Sequence, residues 1–169
     1  RLIEHLITVH NKRRIAFMRG PVNQEDSYWR EMGYREALDA YGISYDSELI
    51  LRGEFEREIA YQEMTGFLNN GGPEFDAVFT GDDDSAIGVI NALQEAGYRI
   101  PEEISIAGFD DLRLSAFLTP PLTTVNAPTE VVGCTAARQL FDLLSGKEVD
   151  TITLLSTEIV IRRSCGCFA

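Results

Sequence analysis

Short apolar runs alternate with longer amphipathic stretches along the first two thirds of the chain. Four runs of five to seven residues are apolar almost throughout, which is typical of parallel strands covered on both faces. These predicted strands are Arg14–Arg19, Glu48–Arg52, Phe75–Thr80 and Glu103–Phe109. The stretches between them have apolar residues at helical spacing and predict the helices Ser27–Tyr41 (capped by Asp26 or Ser27), Arg57–Asn70 and Asp84–Ala96. Four such units in a row predict an α/β fold with a doubly wound parallel sheet.

The pattern changes after Asp111, where Pro120-Pro121 interrupts it. The following residues predict a short strand, a helix and two further strands, at Leu122–Val125, Pro128–Ser145, Thr151–Leu155 and Thr157–Arg162. The predicted helix is apolar on most sides, so we expect it to need cover on more than one side. The first residues of the chain already have the pattern of a helix interior, and we therefore expect a fragment of a longer protein.

Composition and charge narrow the classes of function. The chain has 169 residues, 44% of them hydrophobic, and a formal net charge of -12. Such an acidic surface repels phosphate backbones, so these residues are not expected to bind nucleic acid directly. No apolar run reaches the ~18 residues that span a bilayer, so no membrane association is expected. The three cysteines, Cys134, Cys165 and Cys167, fit neither a disulfide scaffold nor a C-x-x-C zinc site, which favours a reducing, cytoplasmic setting.

Polar and charged side chains follow each predicted strand. In open α/β sheets, ligands bind beyond the carboxyl ends of the strands. We therefore expect these residues to hydrogen-bond a small polar molecule that stacks on Phe55; they are Arg19, Asn23, Arg30, Glu54, Phe55, Asp82, Asp83, Asp84, Asp110 and Asp111. Each also has a structural explanation: the aspartates as helix caps or turn residues, Arg30 as a surface partner of Glu31 or Asp26, and Phe55 as a core residue.

No catalytic constellation accompanies these residues. The chain lacks the phosphate-binding and dinucleotide-binding glycine motifs and the G-x-S-x-G elbow, and we expect neither an enzyme nor a cofactor. His5 and His10 are five residues apart, off the spacing of one helix face, and are expected to face solvent near a helix end. Cys134 is expected to be a small core residue. One enzymatic alternative stays open, in which the carboxylates of 82–84 and 110–111 hold magnesium.

Several segments resemble the lactose/galactose repressor (LacI/GalR) family of transcriptional regulators. They are HLITVHNKRRIAFMRGP, the R-x-x-G-Y-x-x-A-L of Arg30–Leu38, DAVFTGDDDSAIGVINALQEAGYRIPEEISIAGFDD, LTPPLTTVNAP and the ending TEIVIRRSC. The resemblance covers essentially the whole chain. It implies a fold like that of type I periplasmic binding proteins, in which two subdomains close around a small effector. Residues 13–119 and 151–169 would form the carboxyl-terminal subdomain. Residues 120–150 would belong to the amino-terminal subdomain, most of which is absent from this sequence.

The resemblance also implies roles for individual residues. Arg30 matches an arginine that grips effector hydroxyls or carboxylates, and Phe55 matches an aromatic residue against which the effector packs. Asp110 matches an aspartate that bonds the effector, whereas Asp82 stands where asparagine is usual. Ala127 stands where many members have glutamine. The additional carboxylate of Asp82 favours a ligand with hydroxyl or amine donors over an anionic one.

The implied function is to sense a small polar effector, such as a sugar, and to control DNA binding through a domain absent from this chain. The implied assembly is a homodimer, with Ser85–Leu93 and Leu112–Leu118 as contact segments. The SCGC tail goes beyond the family's usual ending. Similar tails occur in sensors that precede a diguanylate cyclase or kinase module, so a multidomain signalling protein or a solute-binding protein is the alternative.

Overall fold

A computed structural model describes residues 1–168, and its centre is a parallel sheet of four strands. The strands are β1 (Ile15–Arg19), β2 (Ile50–Arg52), β3 (Ala77–Thr80) and β4 (Ser105–Ala107), in the order β2-β1-β3-β4. Every neighbouring pair is parallel. The order doubles back at β1, so this is the doubly wound sheet that the apolar runs predict.

Helices cover both faces of the sheet. They are α1 (Leu2–His10), α2 (Glu25–Ala40), α3 (Arg57–Asn69) and α4 (Asp83–Glu95). Successive residues of β1 point to opposite faces: Ala16 and Met18 pack with α3 and α4, whereas Ile15 and Phe17 pack with α1 and α2. All four side chains are fully buried or nearly so. Burial on both faces is the reason that the strands are continuously apolar.

Several element ends differ from the sequence expectation. The predicted second strand starts late because Ser47–Leu49 forms a 3₁₀ turn, in which the carboxylate of Asp46 accepts the backbone N–H of Glu48 at 3.0 Å. Helix α2 begins at Glu25 without a side-chain cap, so the prediction that Asp26 or Ser27 caps it is wrong.

The segment after Asp111 extends the sheet. Strand β5 (Thr124–Asn126) pairs antiparallel with β6 (Glu158–Val160), and no strand forms at 151–155 among the described residues. The backbone N–H groups of Gly108 and Asp110 donate to the carbonyls of Thr123 and Val125, which joins β5 to the chain after β4. The strand expected to lie in another subdomain therefore lies beside β4, because its side chains, from Leu122 to Val125, are buried there.

Helix α5 (Thr129–Leu144) has no buried residue. Its apolar side chains are exposed, among them Val131, Val132, Leu140, Phe141, Leu143 and Leu144. This confirms that the helix has more apolar surface than the described chain covers. Cys134 is exposed on it, so the prediction of a core cysteine is wrong. Within residues 1–168, no helix has both the length and the apolar character needed to cross a membrane.

The two segments expected to form a dimer contact differ in exposure. Ser85–Leu93 lies entirely in α4, and all of its residues except Asn91 are buried. The helix packs closely on α3, since a Cβ on Gly88 would come within 2.2 Å of the carbonyl oxygen of Arg57. That helix face is therefore occupied within the chain. The 3₁₀ helix Arg113–Phe117, in contrast, has its apolar side chains in solvent, with Leu114 47% and Phe117 77% exposed.

Candidate functional site

The four predicted site residues lie around one cavity at the carboxyl ends of the strands. Arg30, Phe55, Asp82 and Asp110 all line this cavity, whose volume is about 1040 Å³. A volume of that size accommodates a ligand of one or two sugar rings or a nucleoside. The structure thus brings together side chains that follow four different strands: Arg30 comes from α2, and the other three come from the segments after β2, β3 and β4.

Phe55 follows β2 and lies across the ends of the neighbouring strands. A Cβ on Gly20, just after β1, would lie 2.2–2.5 Å from three atoms of the Phe55 ring, and one on Gly81, just after β3, would lie 2.8 Å from it. The Phe55 ring can occupy this position because neither Gly20 nor Gly81 has a side chain there. The backbone of Glu54 and Phe55 is left-handed, with φ of 55° and 59°. Such strained conformations in larger residues concentrate at functional sites.

Arg30 projects from α2 between two aromatic rings. Its guanidinium carbon is 4.2 Å from the ring centroid of Phe109 and 5.1 Å from that of Phe55. One terminal nitrogen donates to the carbonyl oxygen of Gly81, and the other lies 3.3 Å from Oδ1 of Asp110. The same nitrogen lies 4.0 Å from Oδ2 of Asp26, so the partner named in the structural alternative is present, but the arginine side chain is only 14% exposed and is not a surface group. Its fixed position leaves a charged, planar donor at the cavity wall.

Asp110 is the carboxylate partner of Arg30 on this wall. Burial raises the pKa of Asp110 to about 6, although the positive charge of Arg30 opposes the rise. Nearby negative charges, foremost Asp82, add to it. The φ of Asp110 is 109°, a strained value for a residue with a side chain. A carboxyl group with this pKa can accept or donate a hydrogen bond near neutral pH.

Asp82 lines the cavity and also begins α4. Its carboxylate accepts the backbone N–H of Ser85 at 3.2 Å, which makes it the N-cap of the helix. Burial is the main cause that raises the pKa of Asp82. The cap that was expected from Asp83 or Asp84 is therefore provided by Asp82.

The two aspartates that follow have structural partners. Asp83 is fully buried and accepts three hydrogen bonds, from the backbone N–H of Leu112 and the hydroxyls of Ser115 and Thr124. Asp84 lies 2.6 Å from a terminal nitrogen of Arg57. Two of the five carboxylates of the magnesium alternative are therefore engaged by partners within the chain.

The remaining differences from the sequence prediction concern one predicted residue that lies outside the cavity and two cavity residues that were not predicted. Arg19 forms an ion pair with Glu31 at 3.1 Å and does not line the cavity. Phe109 and Trp29, in contrast, line the cavity and were not predicted as site residues. The signal for Phe109 was its place in the G-F-D-D segment, directly before Asp110. Trp29 directly precedes Arg30, and its side chain is 61% exposed.

A second cluster lies away from the cavity, where α1 meets the end of the chain. We call His5, His10, Cys165 and Cys167 the His–Cys cluster; their ligand-type atoms all lie within 4.8 Å of one another. The histidines were expected to face solvent, but their rings are 5.1 Å apart and only partly exposed. Burial lowers the pKa of both. The expectation that the cysteines fit no C-x-x-C zinc site considered the cysteines alone, whereas two histidines more than 150 residues away in sequence lie beside Cys165 and Cys167.

Comparisons with known proteins agree with this fold. A model of the periplasmic binding protein-like domain matches residues 3–165. The HTH-type transcriptional regulator CelR of Thermobifida fusca is 37% identical over 153 residues, which are 90% of this chain and 45% of that protein. The ribose operon repressor of Escherichia coli (strain K12) is 33% identical over 151 residues, 89% of this chain and 45% of the repressor. The chain thus spans about half the length of these relatives.

Solved structures show the same relationship. A transcriptional regulator CelR–cellobiose complex superimposes with a TM-score of 0.89 at 35% identity, over 96% of this chain and 49% of that chain. A lac repressor dimer bound to operator and the anti-inducer ONPF gives a TM-score of 0.88 at 28% identity, over 96% and 55%. The chain belongs to the periplasmic binding protein-like domains of LacI-family transcriptional regulators.

Proposed function

We propose that this chain is the effector-binding region of a transcriptional regulator and that it binds a small, hydroxyl-rich metabolite against Arg30, Phe55, Asp82 and Asp110. The observation that carries the proposal is the position of Arg30, held between two aromatic rings beside Asp110 at the cavity wall. A fixed fork of donors next to a carboxylate matches a ligand that both accepts and donates hydrogen bonds.

The charge of the cavity favours a neutral or cationic ligand. Four carboxylates line it, those of Asp26, Asp82, Asp110 and Asp111, against three arginines, Arg1, Arg30 and Arg113. Arg30 is already paired with two of these carboxylates, at 3.3 Å from Asp110 and 4.0 Å from Asp26. An anionic ligand would therefore have to approach buried carboxylates. Sugar hydroxyls, in contrast, can donate to the carboxylates and accept from the guanidinium.

Aromatic surface at the cavity suits the apolar face of a sugar ring. Trp29, which is 61% exposed, lines the cavity together with Phe55 and Phe109, whose ring centroids lie 5.1 and 4.2 Å from the guanidinium carbon of Arg30. Relatives include a ribose operon repressor and a CelR structure in complex with cellobiose. We infer that the effector of this chain is also a sugar or a nucleoside-like molecule.

The exposed face of α5 supports a second wall to the cavity. Thr129 and Val132 of this helix line the cavity, yet no residue of the helix is buried. We propose that the part of the relatives that this chain does not span provides the missing cover, with residues 120–150 lying partly in that second subdomain. Closure of two subdomains on the effector would then change the affinity of the regulator for DNA. Each tenfold change in DNA affinity corresponds to a coupling free energy of about 1.4 kcal/mol between the two binding events.

The similarity to LacI-family transcriptional regulators supports a homodimer in the cytoplasm. The exposed apolar side chains of Leu112, Leu114 and Phe117 form the part of the expected contact that is open to a partner. In an isologous dimer these residues would pack against their copies. Sedimentation of the intact protein with Phe117→Asp tests this: we expect the variant to sediment as a monomer.

A thermal-shift screen of the intact protein against pentoses, hexoses, disaccharides, nucleosides and amino acids tests the proposed ligand class. A molecule that binds only the folded state raises the melting temperature by mass action. We expect a sugar or nucleoside to raise it in the wild type and in Arg35→Ala, and to have no effect in Arg30→Ala. Arg35 is the matched control, since it lies on the same helix and pairs with Glu31 outside the cavity. A shift that survives in Arg30→Ala would contradict the proposal.

A further inference from the structure

We propose that the His–Cys cluster is a tetrahedral zinc site in which His5, His10, Cys165 and Cys167 each provide one ligand. This inference is independent of the effector proposal, because none of the four residues lines the cavity. Two imidazoles and two thiols are a ligand set that Zn²⁺ prefers, and four protein ligands leave no open position for substrate. The site would therefore be structural.

The distances between the ligand atoms match those of a zinc site. Nε2 of His5 lies 3.6 Å from Sγ of Cys165 and 3.6 Å from Sγ of Cys167. Nε2 of His10 lies 3.3 Å from Sγ of Cys167. Zinc–sulfur and zinc–nitrogen bonds of about 2.3 and 2.05 Å at the tetrahedral angle place nitrogen and sulfur about 3.6 Å apart. A small adjustment would thus complete the coordination.

The backbone of the C-x-C turn directs both thiols to one point. Gly166, between the two cysteines, has a φ of 111°, and a Cβ there would lie 3.0 Å from Nδ1 of His10. Only glycine fits this turn without strain and at this distance from the imidazole. The carbonyl oxygen of Cys165 accepts the hydroxyl of Ser105, which anchors the turn to β4.

Helix α1 holds the imidazoles on the opposite side. Its residues Leu2, Ile3, Leu6 and Ile7 are buried against the sheet. His5 comes from the middle of this fixed helix, and His10 is its last residue. Helix and turn are both anchored in the core, so the four ligands are already in place before an ion binds. A preorganised site binds metal more tightly because less order has to be gained.

The bound ion would tie α1 to the C-x-C turn. The ligands come from residues 5 and 10 at one end and 165 and 167 at the other. A link between such distant parts of the chain restricts the unfolded state strongly, as a disulfide does. Removal of the ion should therefore favour local unfolding of α1, which is one of the helices that cover the sheet.

The experiment is a metal titration of the intact protein, kept reduced. Zn²⁺ binding is measured by competition with a chromophoric chelator, and Co²⁺ is used as a spectroscopic probe. We expect one equivalent of Zn²⁺ to bind, and Co²⁺ to give the intense visible bands of tetrahedral geometry with a thiolate charge-transfer band. The melting temperature should rise with Zn²⁺ and return to its starting value with excess chelator.

Three variants assign the site. Cys167→Ser and His10→Asn each remove one ligand that is partly exposed, so both are expected to fold. Each should weaken Zn²⁺ binding by at least about 100-fold, more than the loss of a supporting residue causes. Cys134→Ser is the control, because Cys134 is exposed on α5 outside the cluster. The proposal is overturned if reduced wild-type protein binds no stoichiometric Zn²⁺, or if both ligand variants bind it as tightly as the control. The first result would mean that thiol–imidazole hydrogen bonds alone hold the cluster.

Discussion

Replacing Asp110 with asparagine removes a carboxylate whose charge is opposed by burial. The pKa of Asp110 is about 6 in the folded protein, against an ordinary value of 3.8. Since the folded state binds the proton more tightly than the unfolded state, the carboxyl destabilises the fold as pH rises from 3.8 to about 6. Above that range the penalty is constant. A shift of about two pKa units, at about 1.4 kcal/mol each, gives a penalty on the order of 3 kcal/mol at pH 8.

Urea denaturation of wild type and Asp110→Asn at pH 8 and pH 5 measures this penalty. We expect the variant to be more stable by about 1–3 kcal/mol at pH 8. The attraction of Arg30 is already included in the pKa of about 6, and the lower end of the range reflects solvent screening of a side chain that is 29% exposed. Its advantage should shrink to roughly half at pH 5, where the wild-type carboxyl is mostly protonated in the folded state. The variant is also expected to lose effector binding, so the charge would be kept for function at the expense of stability.

Asp111→Asn is the matched control. Burial also opposes the charge of Asp111, but hydrogen bonds from Arg162 and Asn126 outweigh it and hold the pKa of Asp111 below its usual value. Its charge therefore contributes stability at neutral pH that is lost on acidification, and its removal should destabilise the protein at pH 8. If Asp110→Asn is less stable than wild type at pH 8, or if its advantage does not depend on pH, then burial does not oppose the Asp110 charge and the reasoning is refuted.

Other substitutions test the architecture of the cavity. Arg30→Ala should abolish effector binding in calorimetry, while the free energy of unfolding falls by no more than about 2 kcal/mol, because only the contacts of one arginine are lost. A larger fall in the free energy of unfolding would mark Arg30 as structural. Gly20→Ala places a Cβ 2.2 Å from the Phe55 ring and should cost about 1–3 kcal/mol in urea denaturation together with effector affinity. Gly66→Ala is its control, because Gly66 lies in α3 outside the cavity and its Cβ would meet nothing within 4 Å. This variant should keep effector affinity and leave stability unchanged or raise it by up to about 1 kcal/mol; equal effects of the two would contradict the assigned role of Gly20.

The layered fold was predictable because a strand that is buried on both faces of the sheet has a continuous apolar sequence. The apolar runs around β1 and β3 have no polar alternation, and each is followed by a helical pattern. The ends of β2 were not predictable in the same way, since a local turn capped by Asp46 competes with the strand for Glu48 and Leu49. The position of β5 depends on hydrogen bonds to the chain after β4, and pairing of that kind does not follow from local periodicity.

The site residues were predictable to the extent that topology brings strand ends together. Arg30, Phe55, Asp82 and Asp110 could be placed at one edge, whereas Phe109 was overlooked because an aromatic residue at a strand end also suits the core. The His–Cys cluster lay outside such reasoning altogether. Its two halves are at opposite ends of the chain, and helical spacing argued against His5 and His10 sharing a face, although His10 ends the helix and its side chain reaches the same point.

The most direct test of the account is calorimetric titration of the intact protein with the sugar or nucleoside that gives the largest thermal shift. We expect saturable binding at one site per chain, retained in Arg35→Ala and abolished in both Arg30→Ala and Asp110→Asn. Binding that persists in the Arg30 and Asp110 variants, or the absence of binding by any molecule of the panel to folded wild-type protein, would contradict the claim that this cavity holds the effector.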